Sequence, residues 1–242
     1  MIEFLSEVAR WFAEDGRWLG EGGIVPRTGE HLVLAAVPML ISLAIALPAA
    51  VWLGHRRIGE FFTNAFVNMG RAIPSFGLLV LAGLFFLRAG VSLRFWPAVV
   101  TLVALAIPPM FTNAYTSIAN VEPSTVEAAR GMGMNESEIL WGVEVPIGSP
   151  VILAGVRISL IQVLATVPLA AVLSSGGGLG QYVIRGFAQG SAGSVEVFAG
   201  ALLIAALTVS VDWLFTRGER ALLPEGVRQV SDAEVRSAAA IS

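Results

Sequence analysis

Reactive side chains are scarce in these 242 residues, and the scarcity bounds the chemistry the chain can do. There is no cysteine, which excludes disulfides, iron–sulfur clusters and thiolate zinc sites. All fifteen basic residues are arginine. That removes the lysine a P-loop sets against phosphates, and any Schiff-base nucleophile. The two histidines, His31 and His55, stand at opposite ends of one apolar run, so a single copy offers no histidine metal cluster. No catalytic residue and no metal ligand is assigned. Gly176-Gly-Gly-Leu-Gly180 has the glycines of a phosphate loop, but it follows an apolar helix rather than a strand and lacks the lysine. It reads as a flexible turn. The net charge of −3 gives no footprint for a nucleic acid.

One polar, acidic island remains between long apolar runs: Glu127, Ala128, Ala129, Arg130 and Gly131, then Gly133, then Val143-Glu144-Val145-Pro146. Ser124 precedes Glu127 by three residues, the spacing of a capping box at a helix start. Gly131 and Gly133 can end that helix in a left-handed conformation. Asn135 and Glu138 repeat the cap-and-carboxylate spacing and open a second short helix, which Pro146 is expected to stop. A folded helix–turn–helix of this kind is a handle for another protein. The plainer alternative is a well-capped surface helix with no partner.

The elements around the island are those of a membrane protein. The chain is 55% hydrophobic and 14% charged, where soluble domains carry about 25% charged residues. A helix needs about 20 apolar residues to cross a hydrocarbon layer of about 30 Å. Leu32–Gly54, Phe95–Val121, Ile158–Ile184 and Phe198–Phe215 satisfy this, and Phe61–Leu87, broken by Arg71 and Pro74, makes a fifth span. Pro108 and Pro109 are expected to kink or end the Phe95–Val121 span. Trp52, Trp96 and Trp213 fall at span ends, where indoles favour the interface. Ile2, Leu5, Val8 and Phe12 recur at helical spacing in an acidic opening segment without a secretory signal. That pattern reads as an amphipathic helix on the membrane surface.

The motif Glu-Ala-Ala, three residues, Gly, nine residues, an aliphatic, one residue, an aliphatic and Pro resembles the EAA loop of permease subunits of binding-protein-dependent ABC importers. That family usually has Ile and Leu where this chain has Val143 and Val145. Arg71-Ala-Ile-Pro-Ser75, the Ala-Ala-Arg-Gly-Met-Gly run ending at Gly133, Pro150-Val-Ile-Leu-Ala-Gly-Val-Arg157 and Gly176–Gly180 are similar to the osmoprotectant branch. That branch takes up glycine betaine, choline, carnitine and similar quaternary amines. The resemblance implies an all-α integral membrane protein with about five transmembrane helices and a cytoplasmic coupling-helix loop, like a type I ABC importer. It implies a multi-pass permease of a bacterial cell membrane, paired with a second copy or a related permease. Two ATP-binding subunits would serve it from below and a substrate-binding protein from outside. ATP and Mg would bind the partner ATPase, and this chain would hold no cofactor. Residues 1–30 would be an extracellular segment, 31–220 the transmembrane domain and 221–242 a cytoplasmic polar tail. The arginine distribution permits this orientation with a small margin; the resemblance decides it.

Several polar residues inside or beside the spans remain open. Arg71, with Pro74, is either a group in the pathway or a side chain that snorkels to the interface. Asn113 and Thr116, three residues apart, could line a pathway or act as hydrogen-bonding glue between helices. Arg157 and Asp212 sit near span ends and read as snorkelling or paired. A permease of the methionine-like branch, with a similar loop, and a secondary transporter are the rival readings. Secondary carriers usually show inverted repeats with broken helices in both halves, and an odd span count with one central loop speaks against that.

Overall fold

A computed structural model describes residues 2–58, 74–92, 95–173 and 177–222, with side chains through residue 219. Helices α1 (Ile2–Ala13), α2 (Ile24–Arg56), α3 (Ser75–Arg88) and α4 (Trp96–Ala119) come first. Next are α5 (Pro123–Gly131) and the short α6 (Glu136–Ile139), which passes through a π-helical turn (Leu140–Glu144) into α7 (Val145–Thr166). A 3₁₀ turn (Val167–Leu169), α8 (Ala170–Leu173), α9 (Gly180–Ala188) and α10 (Ser194–Leu222) complete the order. No strand occurs among the described residues.

Among the described residues, four stretches are long and apolar enough to cross a membrane: Ile24–Arg56, Trp96–Ala119, Glu136–Leu173 and Gly190–Glu219. The 33 residues of α2 span about 50 Å at 1.5 Å per residue, well beyond the hydrocarbon thickness. It starts eight residues before the expected Leu32 and runs unbroken through Pro38 and Pro48. Likewise α4 continues through Pro108 and Pro109. Of the fifth expected span, Phe61–Leu87, only the part from Pro74 onward is described, and it contains the shorter apolar helix α3. Arg71 lies outside the described residues. The third strong stretch differs from its expected bounds. Its helix begins near Glu136, not Ile158, and closes at Leu173. The apolar residues up to Ile184 belong instead to a separate helix, α9.

The backbone divides into two compact units, and α2, α4, α7 and α10 each contribute to both. One unit holds, of the described residues, 2–42, 74–92, 95–107, 159–173 and 177–211. In it α1 is anchored by Trp11 and Phe12, which pack on a cluster of Ile24, Leu179 and Tyr182 joined by Leu203, Ile204 and Leu207. Trp11 meets Tyr182 edge to face at 5.3 Å, and Phe4 meets Phe198 in the same way at 5.4 Å. The Tyr182 hydroxyl donates to the Gly22 carbonyl at 3.0 Å. Burial raises its pKa, which keeps it a neutral donor. Val8 and Phe12 of the amphipathic pattern thus face the chain's own core side, whereas Ile2 and Leu5 of the same pattern stay exposed.

In the same unit the glycine run is not a loose turn. Residues 174–176 lie outside the described residues, but Gly177, Gly178, Leu179 and Gly180 are all buried. A Cβ on Gly178 would stand 2.6 Å from the Cα of His31, at a φ of +56°. Only glycine allows the loop backbone this close to α2. His31 itself is fully buried, with Nε2 3.0 Å from the Leu164 carbonyl.

The other unit holds, of the described residues, 43–58, 108–158 and 212–222. Here small residues let helices approach closely, as membrane bundles require. Gly54 abuts Tyr115 and Ile118, Gly148 abuts Ser117, and Gly155 abuts Asn113, so α4 receives glycines from both α2 and α7. Arg157 grips Asp212 with two hydrogen bonds, Nε to Oδ1 at 2.6 Å and Nη2 to Oδ2 at 2.8 Å. The pair joins α7 to α10, as the paired reading expects.

Candidate functional site

The polar island folds as two capped helices, though not quite with the expected caps. Pro123 occupies the first turn of α5 behind Glu122 at the N-cap, and no side chain caps this end. A proline at the first helical position has its φ already set and lacks an amide that would go unsatisfied. Ser124 is therefore inside the helix, and the Ser124–Glu127 capping box does not form. At the other end Gly133 has φ +89°. The Gly133 amide donates to the Arg130 carbonyl at 3.0 Å and the Met134 amide to the Ala129 carbonyl at 3.3 Å. These are the two bonds of a Schellman motif. Gly131, by contrast, is an ordinary last helical residue.

The second cap forms as the spacing demands. Asn135 Oδ1 accepts from the Glu138 amide at 3.0 Å, and Glu138 Oε2 accepts from the Asn135 amide at 2.7 Å. Pro146 does not stop this helix. The π turn comes first, with the Val145 amide reaching five residues back to the Leu140 carbonyl. The wider turn resets the ladder just before the residue that has no amide to give, and α7 proceeds.

A small core holds the island together: Val121, Val126, Ala129 and Ile139, with Met134 and Val143 against it. The Glu-Ala-Ala triplet is split by this packing. Ala129 is buried, whereas Glu127 and Ala128 face outward. Met132 and Trp141 are also exposed, 77% and 64%, on the rim of a shallow groove with Met134, Glu138 and Gly142.

Charged groups converge beside it. Glu127, Arg130, Glu136 and Glu144 line a polar groove of about 250 Å³ together with His55, Arg56 and Arg57 from the end of α2. His55 Nδ1 lies 2.6 Å from Glu144 Oε2, and its Nε2 lies 3.4 Å from Glu136 Oε2. Arg130 binds both oxygens of Glu136, at 2.9 and 3.2 Å. The Arg57 guanidinium donates to the Val121 carbonyl at 3.1 Å. Glu144 is buried, and a buried polar group is costly without a hydrogen-bond partner of this kind. Sequence reasoning passed over His55 and Glu144. The signal was a lone carboxylate between two valines, which had to be matched from elsewhere.

The remaining expected residues lie apart from this groove. Pro74 is exposed at the N-cap of α3. Asn113 and Thr116 are half-buried and bond back to their own helix. Asn113 Nδ2 donates to the Pro109 carbonyl at 2.8 Å, and the Thr116 hydroxyl to the Thr112 carbonyl at 2.8 Å. Among the described residues no group of three or more His, Cys, Asp or Glu is placed to hold a metal ion.

Residues 42–223 match the family model described as binding-protein-dependent transport system inner membrane component. The chain belongs to this family. Its relatives include the glycine betaine/carnitine/choline transport system permease protein OpuCB of Bacillus subtilis, 29% identical over 87% of this chain and 94% of that protein. They also include the osmoprotectant import permease protein OsmW of Salmonella typhimurium, 30% identical over 86% of this chain and 95% of that protein. Among solved structures the chain is similar to one from the MetNI methionine ABC transporter in inward-facing conformations. There the TM-score is 0.69 with 25% identity, over 83% of this chain and 96% of that one. This family member is thus an all-α, multi-pass inner-membrane permease subunit of an ABC importer, and its family is one whose transport depends on a binding protein.

Proposed function

We propose that this permease subunit imports a quaternary amine osmoprotectant such as glycine betaine, choline or carnitine, and that the island at residues 122–146 couples it to ATP hydrolysis by a partner chain. Two ATPase subunits, one per island of a permease pair, would bind on the cytoplasmic side. Glu127 and Ala128 would lie in that contact, with Ala129, Arg130, Gly131, Gly133 and Pro146 shaping the fold that presents them. The observation that carries this reading is the island's construction. Its core, Schellman turn and capping box make it rigid, yet it leaves Glu127, Ala128, Met132 and Trp141 open. A rigid element whose position differs between two states is what coupling by alternating access requires. ATP closure would draw the two islands together and open the pathway outward, and hydrolysis would reset it. The substrate class rests on the activities for which the relatives are named.

The likeness to a methionine transporter supports a second reading, in which the solute is an amino acid. Uptake into proteoliposomes holding the permease, its ATPase and its binding protein separates the two. Radiolabelled glycine betaine, choline or carnitine should accumulate only with ATP inside and binding protein outside. Accumulation of methionine in their place would replace the substrate assignment, and uptake without ATP would remove the importer reading altogether.

A further inference from the structure

We propose that the C-terminal turn of α2 clamps the coupling island at both of its ends, which makes His55 and Arg57 positioning residues for energy coupling. The proposal rests on the coupling role proposed for residues 122–146.

The first observation is Arg57. Its φ is +54°, a left-handed conformation that a side chain disfavours. The Ile58 amide reaches back to the Leu53 carbonyl at 3.3 Å and the Arg57 amide to the Gly54 carbonyl at 3.0 Å. These bonds end α2 in a Schellman motif whose left-handed place is usually taken by glycine. Such strain persists where the surroundings over-determine it, and it clusters at functional elements. Here the gain is visible: the guanidinium reaches the Val121 carbonyl, just ahead of α5. Arginine at this position gives up backbone ease for a grip on the start of the island.

The second observation is independent and sits at the island's other end. Two residues earlier on α2, His55 Nδ1 lies within hydrogen-bond distance of Glu144 Oε2, at 2.6 Å. Glu144 is the last residue of the π turn. A π turn carries one extra residue, which rotates the next part of the helix by about 100° relative to an uninterrupted α-helix. The inserted turn therefore sets where the Glu144 carboxylate points, and it points into the chain at His55. From His55 the contacts continue to Glu136 and on to Arg130 in the last turn of α5. One helix end, remote in sequence, thus holds the beginning, the middle and the end of the island. A push on the island is delivered to α2, and not only to α4 and α7, which continue directly from it.

Three variants test the clamp: His55→Ala, Glu144→Gln and Arg57→Gly. Glu144→Gln keeps the side chain's shape, and Arg57→Gly removes the guanidinium while suiting the positive φ, so both should fold. Each permease is purified with its ATPase, reconstituted with the binding protein, and assayed for ATP hydrolysis and for uptake. The solute is whichever of radiolabelled glycine betaine, choline or methionine the wild type accumulates. The ATPase should still co-purify and hydrolysis should continue, while solute moved per ATP falls severalfold. Because the chain has no native cysteine, a His55→Cys, Glu144→Cys pair can be bridged by a short bismaleimide. Bridging should restore the ratio, and a monofunctional maleimide should not. An unchanged ratio in all three variants overturns the clamp. So does loss of ATPase binding in all three, or failure of the bridge to restore coupling. Ala128→Trp serves as the control for the underlying reading. If it uncouples and the clamp variants do not, only the clamp falls; if the wild type binds no ATPase, the coupling role falls and the clamp with it.

Discussion

Gly133 and Gly178 both hold a positive φ, and the space around them predicts different costs for a side chain. At Gly133 a Cβ would meet nothing within 4 Å, so Gly133→Val adds only backbone strain of about 1 kcal/mol or more. Its expected effect is local: normal membrane insertion and yield, with reduced uptake. Wild-type uptake in that variant would show that the turn is not needed. At Gly178 the Cβ would lie 2.6 Å from backbone atoms of His31, which no rotamer change relieves. Gly178→Ala should therefore cost roughly 3 kcal/mol or more. It should show as a clearly lowered Tm and poor recovery in detergent, whereas Gly133→Ala, which adds only backbone strain, lowers the Tm less.

At the scale of elements, two joints invite measurement. The island's outward face should press into a groove on the ATPase, where a small residue is required and bulk is not tolerated. Ala128→Trp should release the ATPase from the purified complex or uncouple hydrolysis from uptake. The permease itself should stay folded, because Ala128 is exposed and outside the island's core. Undiminished co-purification, with uptake that collapses when the proton or sodium gradient is removed but ATP maintained, would point to a secondary transporter. The second joint is Arg157 with Asp212, between α7 and α10. Removing one partner strands the other's charge, whereas replacing both with apolar residues does not. Arg157→Ala should thus lower the Tm more than the double variant Arg157→Met, Asp212→Leu, a ranking that thermal unfolding in detergent decides.

For the whole molecule the testable quantity is topology. Five spans with the island in the cytoplasm place the N-terminus outside and the C-terminus inside. A reporter fused ahead of Met1 should behave as external, and one fused after Ser242 as cytoplasmic. Both ends on one side would overturn the odd count, and the span containing α3 would be the first to be struck out. The four long stretches are secure on length alone. Each exceeds the hydrocarbon thickness, with α2 doing so by about 20 Å.

What the sequence settled by itself was everything governed by near neighbours. Apolar run length gave four spans among the described residues, though not the bounds of the third. Asn135 and Glu138, three residues apart, gave a cap that needs no help from the rest of the fold. Gly133 gave a left-handed stop, because the residues that close that turn are its own neighbours. Even there, competition between local signals was lost twice: Pro123 started α5 before Ser124 could cap it, and a π turn carried the chain past Pro146. Tertiary structure decided the rest. Glu144 meets His55 across 89 residues and Arg57 meets Val121 across 64. The Gly178 backbone rests on His31 from a distant part of the chain. No spacing rule reaches that far. A buried charge must find a partner and a close approach must exclude a Cβ, but which residues meet is set only when the helices pack.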